Sequence, residues 1–300
     1  MSRSNLRSRA LCCAIGLLAV AAATAAAPET YWPPITDPPT KEKHPGRWVW
    51  AELLTRDVGA AAEFYGKVFD WKFETYGPKD DAKTYTLVVA NGTPIGGMVF
   101  SDPRDRSLKP DARWVGLVSV ADVEAAAGRV TAGGGKVLIA PATLGQRGKV
   151  AVFSDPEGAA FGVIDSTTGD PEDYAGDNNQ WLWVELWADD PAKMADFYKS
   201  VAGYEVVDGA NSDETPGLYL AAGGYYRAGI LPKPAKVPTT WVPYIRVENV
   251  ADTVAKARTA GGAVVMEPTA AHGTSVALLL DPTGAPVAVA EWTAARKEAP

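Results

Sequence analysis

Apolar and polar positions follow one grammar four times along the chain. Trp48 to Leu54 is an apolar, tryptophan-rich run with strand character. Behind it, Asp57 precedes a stretch in which Ala60, Ala61, Phe64, Tyr65 and Val68 fall on one helical stripe. The spacing predicts a helix there, with Asp57 as its N-cap. Short strands are expected over 72–76, 85–90 and 95–100, with Asn91-Gly92 as a turn between the last two. The order strand, helix, strand, strand, strand then recurs. Trp114 to Val120 is a strand, Asp122 caps a helix carrying Val123, Ala126, Ala127 and Val130, and Gly133 to Gly135 ends it. Strands over 136–139, 150–154 and 161–164 follow, the last two joined across Asp155-Pro156-Glu157-Gly158.

The second half repeats the first. Trp181-Leu182-Trp183-Val184-Glu185-Leu186 echoes Trp48-Val49-Trp50-Ala51-Glu52-Leu53, and Phe197-Tyr198 follows at the spacing of Phe64-Tyr65. Asp190 caps the third helix, with Pro191 in its first turn. Asn249 caps the fourth, with Val250, Val254 and Ala257 facing inward. Trp241 matches Trp114, and Asp281-Pro282-Thr283-Gly284 matches the earlier Asp-Pro turn. A repeat of this length predicts two copies of one domain. Each copy is an α+β unit of two βαβββ modules, with helices on one face of a cupped mixed sheet. The domains are placed at 46–166 and 180–293, joined by a polar linker over 167–179 and followed by a tail over 294–300.

The N-terminus has a different character. Arg3, Arg7 and Arg9 precede an apolar stretch from Leu11 to Ala23 that is too short to span a bilayer, and small-residue cleavage patterns end at Ala25 and Ala27. Residues 1–27 therefore read as a secretory signal peptide, and a periplasmic or secreted protein is expected. Cys12 and Cys13 lie inside that segment, so the mature chain is expected to hold neither a disulfide nor a thiol nucleophile. Residues 28–45 contain six prolines and read as an extended tether, expected to pack on the first domain through Tyr31 and Trp32. The formal charge of −7 becomes about −10 once the leader arginines are gone. With no basic cluster, nucleic acid and anionic membrane surfaces are not expected partners.

The paired modules, the mid-helix Phe-Tyr, the Gly96-Gly97 pair and the closing Asp-Pro-x-Gly turns resemble the vicinal oxygen chelate superfamily, which holds glyoxalase I, extradiol dioxygenases and the bleomycin- and fosfomycin-resistance proteins. The resemblance implies two modules cupped around a divalent metal, held by histidines and a glutamate from first and last strands. The matching positions here are Trp50 and Trp183 on the first strands, and Gly162 and Ala288 on the last ones. None of these side chains ligates a metal. The strands beginning at Trp114 and Trp241 carry no histidine, and His44 and His272 stand far apart in the chain. No metal or other cofactor is therefore the first expectation, with a divalent ion on glutamate ligands as the alternative.

Simple alternation places Trp48, Trp50 and Glu52 on one strand face. Glu52 and Glu185 are thus the candidate catalytic carboxylates, as general bases, hard-metal ligands or hydrogen-bond acceptors. The competing role is structural, bonded to a backbone amide or an arginine. Trp48, Trp50, Trp114, Trp181, Trp183 and Trp241 are the candidate ligand-binding wall. Such a wall suits a flat aromatic or a cation held over rings, unless the tryptophans simply fill the cups as core. Arg227 is expected to pair with Glu185, to hold an anionic ligand, or to lie at the surface. Three functions follow from this reading: a metal-free binder of small molecules, a metal-dependent lyase, isomerase or dioxygenase, or a protein-interaction module with filled cups. Pairing of the two domains within the chain, or homodimerisation, is expected.

Overall fold

The computed structural model describes residues 32–77, 84–101, 112–173, 176–209, 217–271 and 273–292. Residues 1–30, with the expected signal peptide, as well as Tyr31 and His272, lie outside these residues. Domain 1 comprises β1 (Trp48–Thr55), α1 (Val58–Phe69), β2 (Lys72–Tyr76), β3 (Tyr85–Ala90), β4 (Thr93–Phe100), β5 (Arg113–Ser119), α2 (Val123–Ala132), β6 (Lys136–Thr143), β7 (Gly148–Ser154) and β8 (Ala160–Ser166). Domain 2 repeats the order with β9 (Trp181–Ala188), α3 (Pro191–Ala202), β10 (Glu205–Asp208), β11 (Leu218–Ala222), β12 (Tyr225–Pro232), β13 (Thr240–Val247), α4 (Val250–Thr259), β14 (Ala263–Ala271), β15 (Thr274–Leu280) and β16 (Pro286–Glu291). The strands form two eight-stranded sheets of identical order, β2-β3-β4-β1-β5-β8-β7-β6 and β10-β11-β12-β9-β13-β16-β15-β14. In each sheet the two modules meet along their antiparallel first strands, β1 with β5 and β9 with β13.

Local chemistry accounts for the helices. The side chains of Asp57, Asp122, Asp190 and Asn249 accept from Ala60, Ala125, Lys193 and Asp252 amides at 2.8–3.1 Å, closing donors that each helix start leaves open. The stripe of α1 buries Ala61, Phe64, Tyr65, Val68 and Phe69, and that of α3 buries Met194, Ala195, Phe197, Tyr198 and Val201.

These stripes do more than cover their own sheets. One core joins Phe64, Tyr65 and Trp114 of domain 1 to Val250, Val254 and Leu279 of domain 2. A second joins Val130, Phe153 and Phe161 to Phe197, Tyr198 and Trp241. Helix α1 packs on α4, and α2 on α3, so the helical faces of both domains are buried between the sheets.

Two polar bridges cross the domain junction. Tyr198 donates to Asp155 Oδ2 at 3.0 Å and accepts from Trp241 Nε1 at 2.9 Å. In the mirrored position Tyr65 accepts from Trp114 Nε1 at 2.7 Å, and its hydroxyl is pushed up by burial and by the nearby Asp281. The mid-helix tyrosine of each domain thus meets the Asp-Pro turn of the other.

Gly96 and Gly97 lie inside β4, where a Cβ on Gly97 would sit 1.8 Å from Tyr85 Oη. One expectation about strand geometry is corrected: the register shifts between Trp48 and Trp50 in β1, and near Trp181 in β9. A bulge inserts one residue and reverses the facing of what precedes it. Val49 therefore joins Trp50 in the cup, while Trp48 turns to the domain junction.

Candidate functional site

The first cup is full. Glu52, on the central strand β1, accepts from Trp50 Nε1 at 2.9 Å and from Tyr85 Oη at 3.0–3.1 Å. Arg147, in the turn before β7, forms an ion pair with the same carboxylate. Its Nη2 donates to Tyr85 Oη at 2.9 Å and its Nε to the Pro33 carbonyl at 3.0 Å. The guanidinium is packed against the rings of Trp50, Tyr85 and Trp32. Burial raises the Glu52 carboxyl while Arg147, Tyr85 and Trp50 pull it back. Burial also acts to lower Arg147, but Tyr85 and Glu52 together hold it above its usual value. The tether closes the cup: Trp32, Pro33 and Ile35 sit over it, and Ile35 joins its core with Leu87, Leu117, Val150 and Ile164. Hydrogen bonds from the Lys41 amide to the Thr168 carbonyl and from Thr40 Oγ1 to the Asp170 carbonyl hold the tether there.

The second cup has the same frame and a different filling. Glu185 pairs in register with Gly229, as Glu52 does with Gly97. It is 1 % exposed and accepts from Tyr244 Oη at 2.6 Å and from Trp187 Nε1 at 3.4 Å. The Tyr244 hydroxyl is raised by burial first and by Glu185 second, which keeps it protonated. Where the tether and Leu117 fill domain 1, the cup of domain 2 holds a cavity of about 230 Å³. Trp183, Tyr219, Tyr226 and Tyr244 form its aromatic walls, and Trp48, Val49, Pro94 and Ile95 of domain 1 complete its lining beside Trp181. Glu185 is not part of the lining; it stands behind Tyr244.

The remaining candidates are placed as follows. Trp114 and Trp241 point away from the cups into the junction, donating to Tyr65 and Tyr198. Alternation alone does this, because their strands run with the helix face at those positions. Trp181 donates to the Ile95 carbonyl at 2.8 Å and packs on Trp114 at 5.0 Å between ring centroids. Trp48 packs on Trp241 at 6.2 Å. Arg227 does not pair with Glu185. Both its terminal nitrogens engage Asp173 of the linker at 2.8–2.9 Å, and its Nε donates to the Ala222 carbonyl. His44 sits beside Glu42 at the surface.

Trp50, Trp183, Gly162 and Ala288, at the positions the resemblance assigns to ligands, carry no side chain that binds a metal, and the oxygens of Glu52 are engaged by arginine, tyrosine and tryptophan donors. Among the described residues no three His, Cys, Asp or Glu side chains converge.

Sequence reasoning missed Arg147, Tyr85, Tyr219, Tyr226 and Tyr244. Tyr244 had a usable signal, since it lies on the opposite face of β13 from Trp241. Arg147 had none, because its partners are remote in the chain and it lies in a turn.

Comparison with known proteins agrees with this architecture. Residues 47–163 match the Glyoxalase/Bleomycin resistance protein/Dioxygenase superfamily, and residues 183–290 match the Glyoxalase-like domain. The chain is 29 % identical over 255 residues to the mycobacterial protein named "Putative glyoxylase CFP32" (Mycobacterium tuberculosis), covering 83 % of this chain and 95 % of the relative. It is 29 % identical over 261 residues to the anthracycline biosynthesis protein DnrV of Streptomyces peucetius, covering 82 % and 94 %. In fold it is similar to the Mn(II)-bound glyoxalase of Novosphingobium aromaticivorans, with a TM-score of 0.58, 20 % identity and coverage of 85 % and 84 %. A trihydroxybiphenyl dioxygenase of Sphingomonas wittichii aligns with a TM-score of 0.56 at 16 % identity, covering 85 % and 92 %. The chain therefore belongs to the glyoxalase, bleomycin resistance and dioxygenase superfamily, also called vicinal oxygen chelate, as two such domains in tandem.

Proposed function

We propose that this is an exported protein that binds a small planar organic molecule in the cup of domain 2, without the metal its family uses. One observation carries the reading: of two duplicated cups, one is plugged by tether and arginine, and the other holds an aromatic cavity. A cavity of about 230 Å³ suits one or two fused rings, below the size of most drug-like sites. The relative named for anthracycline biosynthesis is in keeping with an aromatic ligand. The filled first cup serves as a structural half.

Titration of the purified protein with planar aromatic compounds, followed by tryptophan fluorescence, is expected to give one site per chain. Trp183→Ala weakens binding about tenfold, from lost stacking worth about 1 kcal/mol or more. Trp32→Ala, in the filled cup, leaves the constant unchanged. Two sites, or equal sensitivity to both changes, would refute the assignment to domain 2.

A divalent-metal lyase, isomerase or dioxygenase is the rival reading, and the Mn(II)-bound neighbour is what favours it. Elemental analysis after dialysis separates the two: a stoichiometric metal that is lost in Glu185→Gln supports the rival. Export is checked by sequencing the N-terminus of protein recovered from the periplasm or medium.

A further inference from the structure

The duplication offers an internal comparison of the two cups. In domain 1, Tyr85 donates its proton to Glu52, so its oxygen has only lone pairs left to offer. Arg147 Nη2 donates to it at 2.9 Å and Trp50 Nε1 at 3.2 Å, and the guanidinium lies 4.8 Å from the ring centroids of both Trp50 and Tyr85. Aromatic faces attract positive charge through their quadrupole.

Domain 2 rebuilds this arrangement with a tyrosine from another strand. Tyr244, which lines the cavity, donates to Glu185 at 2.6 Å, which again leaves its oxygen with lone pairs to offer. Trp183 and Tyr219 stand beside it with ring centroids 6.3 Å apart. Val150 pairs with Ile164 and Val276 with Ala290, and counting back equally from these pairs matches Arg147 with Gly273. The side chain that supplies the cation in domain 1 therefore has no counterpart at that position, and the volume is open.

Resting on the cavity assignment above, we infer that the domain 2 site takes an organic cation, an amidinium, guanidinium or aryl-ammonium group. Its N–H donates to Tyr244 Oη and its charge lies over Trp183 and Tyr219, in the role Arg147 plays within domain 1. Arg47 and Arg227 also line the cavity. They share Asp173 of the linker, at 3.4 Å and 2.8 Å respectively, so their charge is partly neutralised.

Calorimetric titration at neutral pH with benzamidine, benzamide and benzoate tests the charge directly, since the three share one shape. Benzamidine is expected to bind about tenfold tighter than benzamide, with benzoate weakest. Tyr244→Phe brings benzamidine close to benzamide while Trp183 quenching persists. If that variant does not fold, the ranking on the unmodified protein decides alone. Benzamide or benzoate binding as well as benzamidine, still sensitive to Trp183→Ala, overturns the cation and leaves the cavity assignment standing. No binding by any of the three at millimolar concentration overturns the cation assignment, and failure of the wider aromatic panel as well overturns both.

Discussion

Replacing Arg147 with alanine is expected to lower the unfolding free energy by about 3–5 kcal/mol, measured by urea denaturation. The change strands Glu52 in the interior with its charge uncompensated, and it also removes a side chain that three aromatic rings pack against. Loss on this scale is a large share of the stability of an ordinary domain, about 5–15 kcal/mol. Arg147→Lys is expected to recover little. A single ammonium does not reach the Pro33 carbonyl, Glu52 and Tyr85 together, as the planar fork does. The double variant Arg147→Met, Glu52→Gln is expected to regain much of the loss, because it removes both charges and keeps most of the volume. If the alanine variant unfolds at the same urea concentration as the parent, Arg147 is not a structural plug. The first cup would then be open to reassignment as a binding site.

The second large effect is a pH dependence at the junction between the domains. Asp155 is buried, and its pKa is pushed up to about 6, chiefly by loss of water. The amides of Glu157 and Ala159 and the Tyr198 hydroxyl oppose that rise without cancelling it. A carboxyl raised in the folded state binds its proton more tightly there than in the unfolded chain. Its stabilising contribution is therefore complete below the unfolded value of 3.8 and is lost as pH climbs through about 6. The full span corresponds to about 3 kcal/mol. In Asp155→Asn this component is absent, so the stability of the parent relative to the variant falls as pH goes from 4 to 7. Parallel stability curves would show that Asp155 stays ionised throughout. Because Tyr198 belongs to the other domain, the same titration tunes how firmly the two sheets are held together.

Much of the fold is legible from periodicity and punctuation. The four N-caps, the stripes of α1 and α3, the closing turns and the duplication all come from local rules, which act through neighbours along the chain. The cups are less legible. Trp48 and Trp181 are misplaced by simple alternation, because a single inserted residue in an otherwise regular strand changes side-chain direction without leaving any compositional mark. The Phe-Tyr and Asp-Pro-x-Gly motifs, recognisable as fold grammar, join residues of opposite domains at the junction. Their spacing says nothing of that pairing, which depends on how two finished sheets meet. Glu52 and Glu185 occupy one position of the repeat, and their surroundings differ because of groups far off in sequence, Arg147 for one and Tyr244 for the other.

By itself the sequence determined the duplication, the module order and the helix starts, since each depends on residue type at short range. Only the tertiary structure decided which cup is full and which holds space. That choice turns on a proline-rich segment laid across one sheet and an arginine reaching a carboxylate from a distant turn, contacts made by chain segments brought together only when the sheets close.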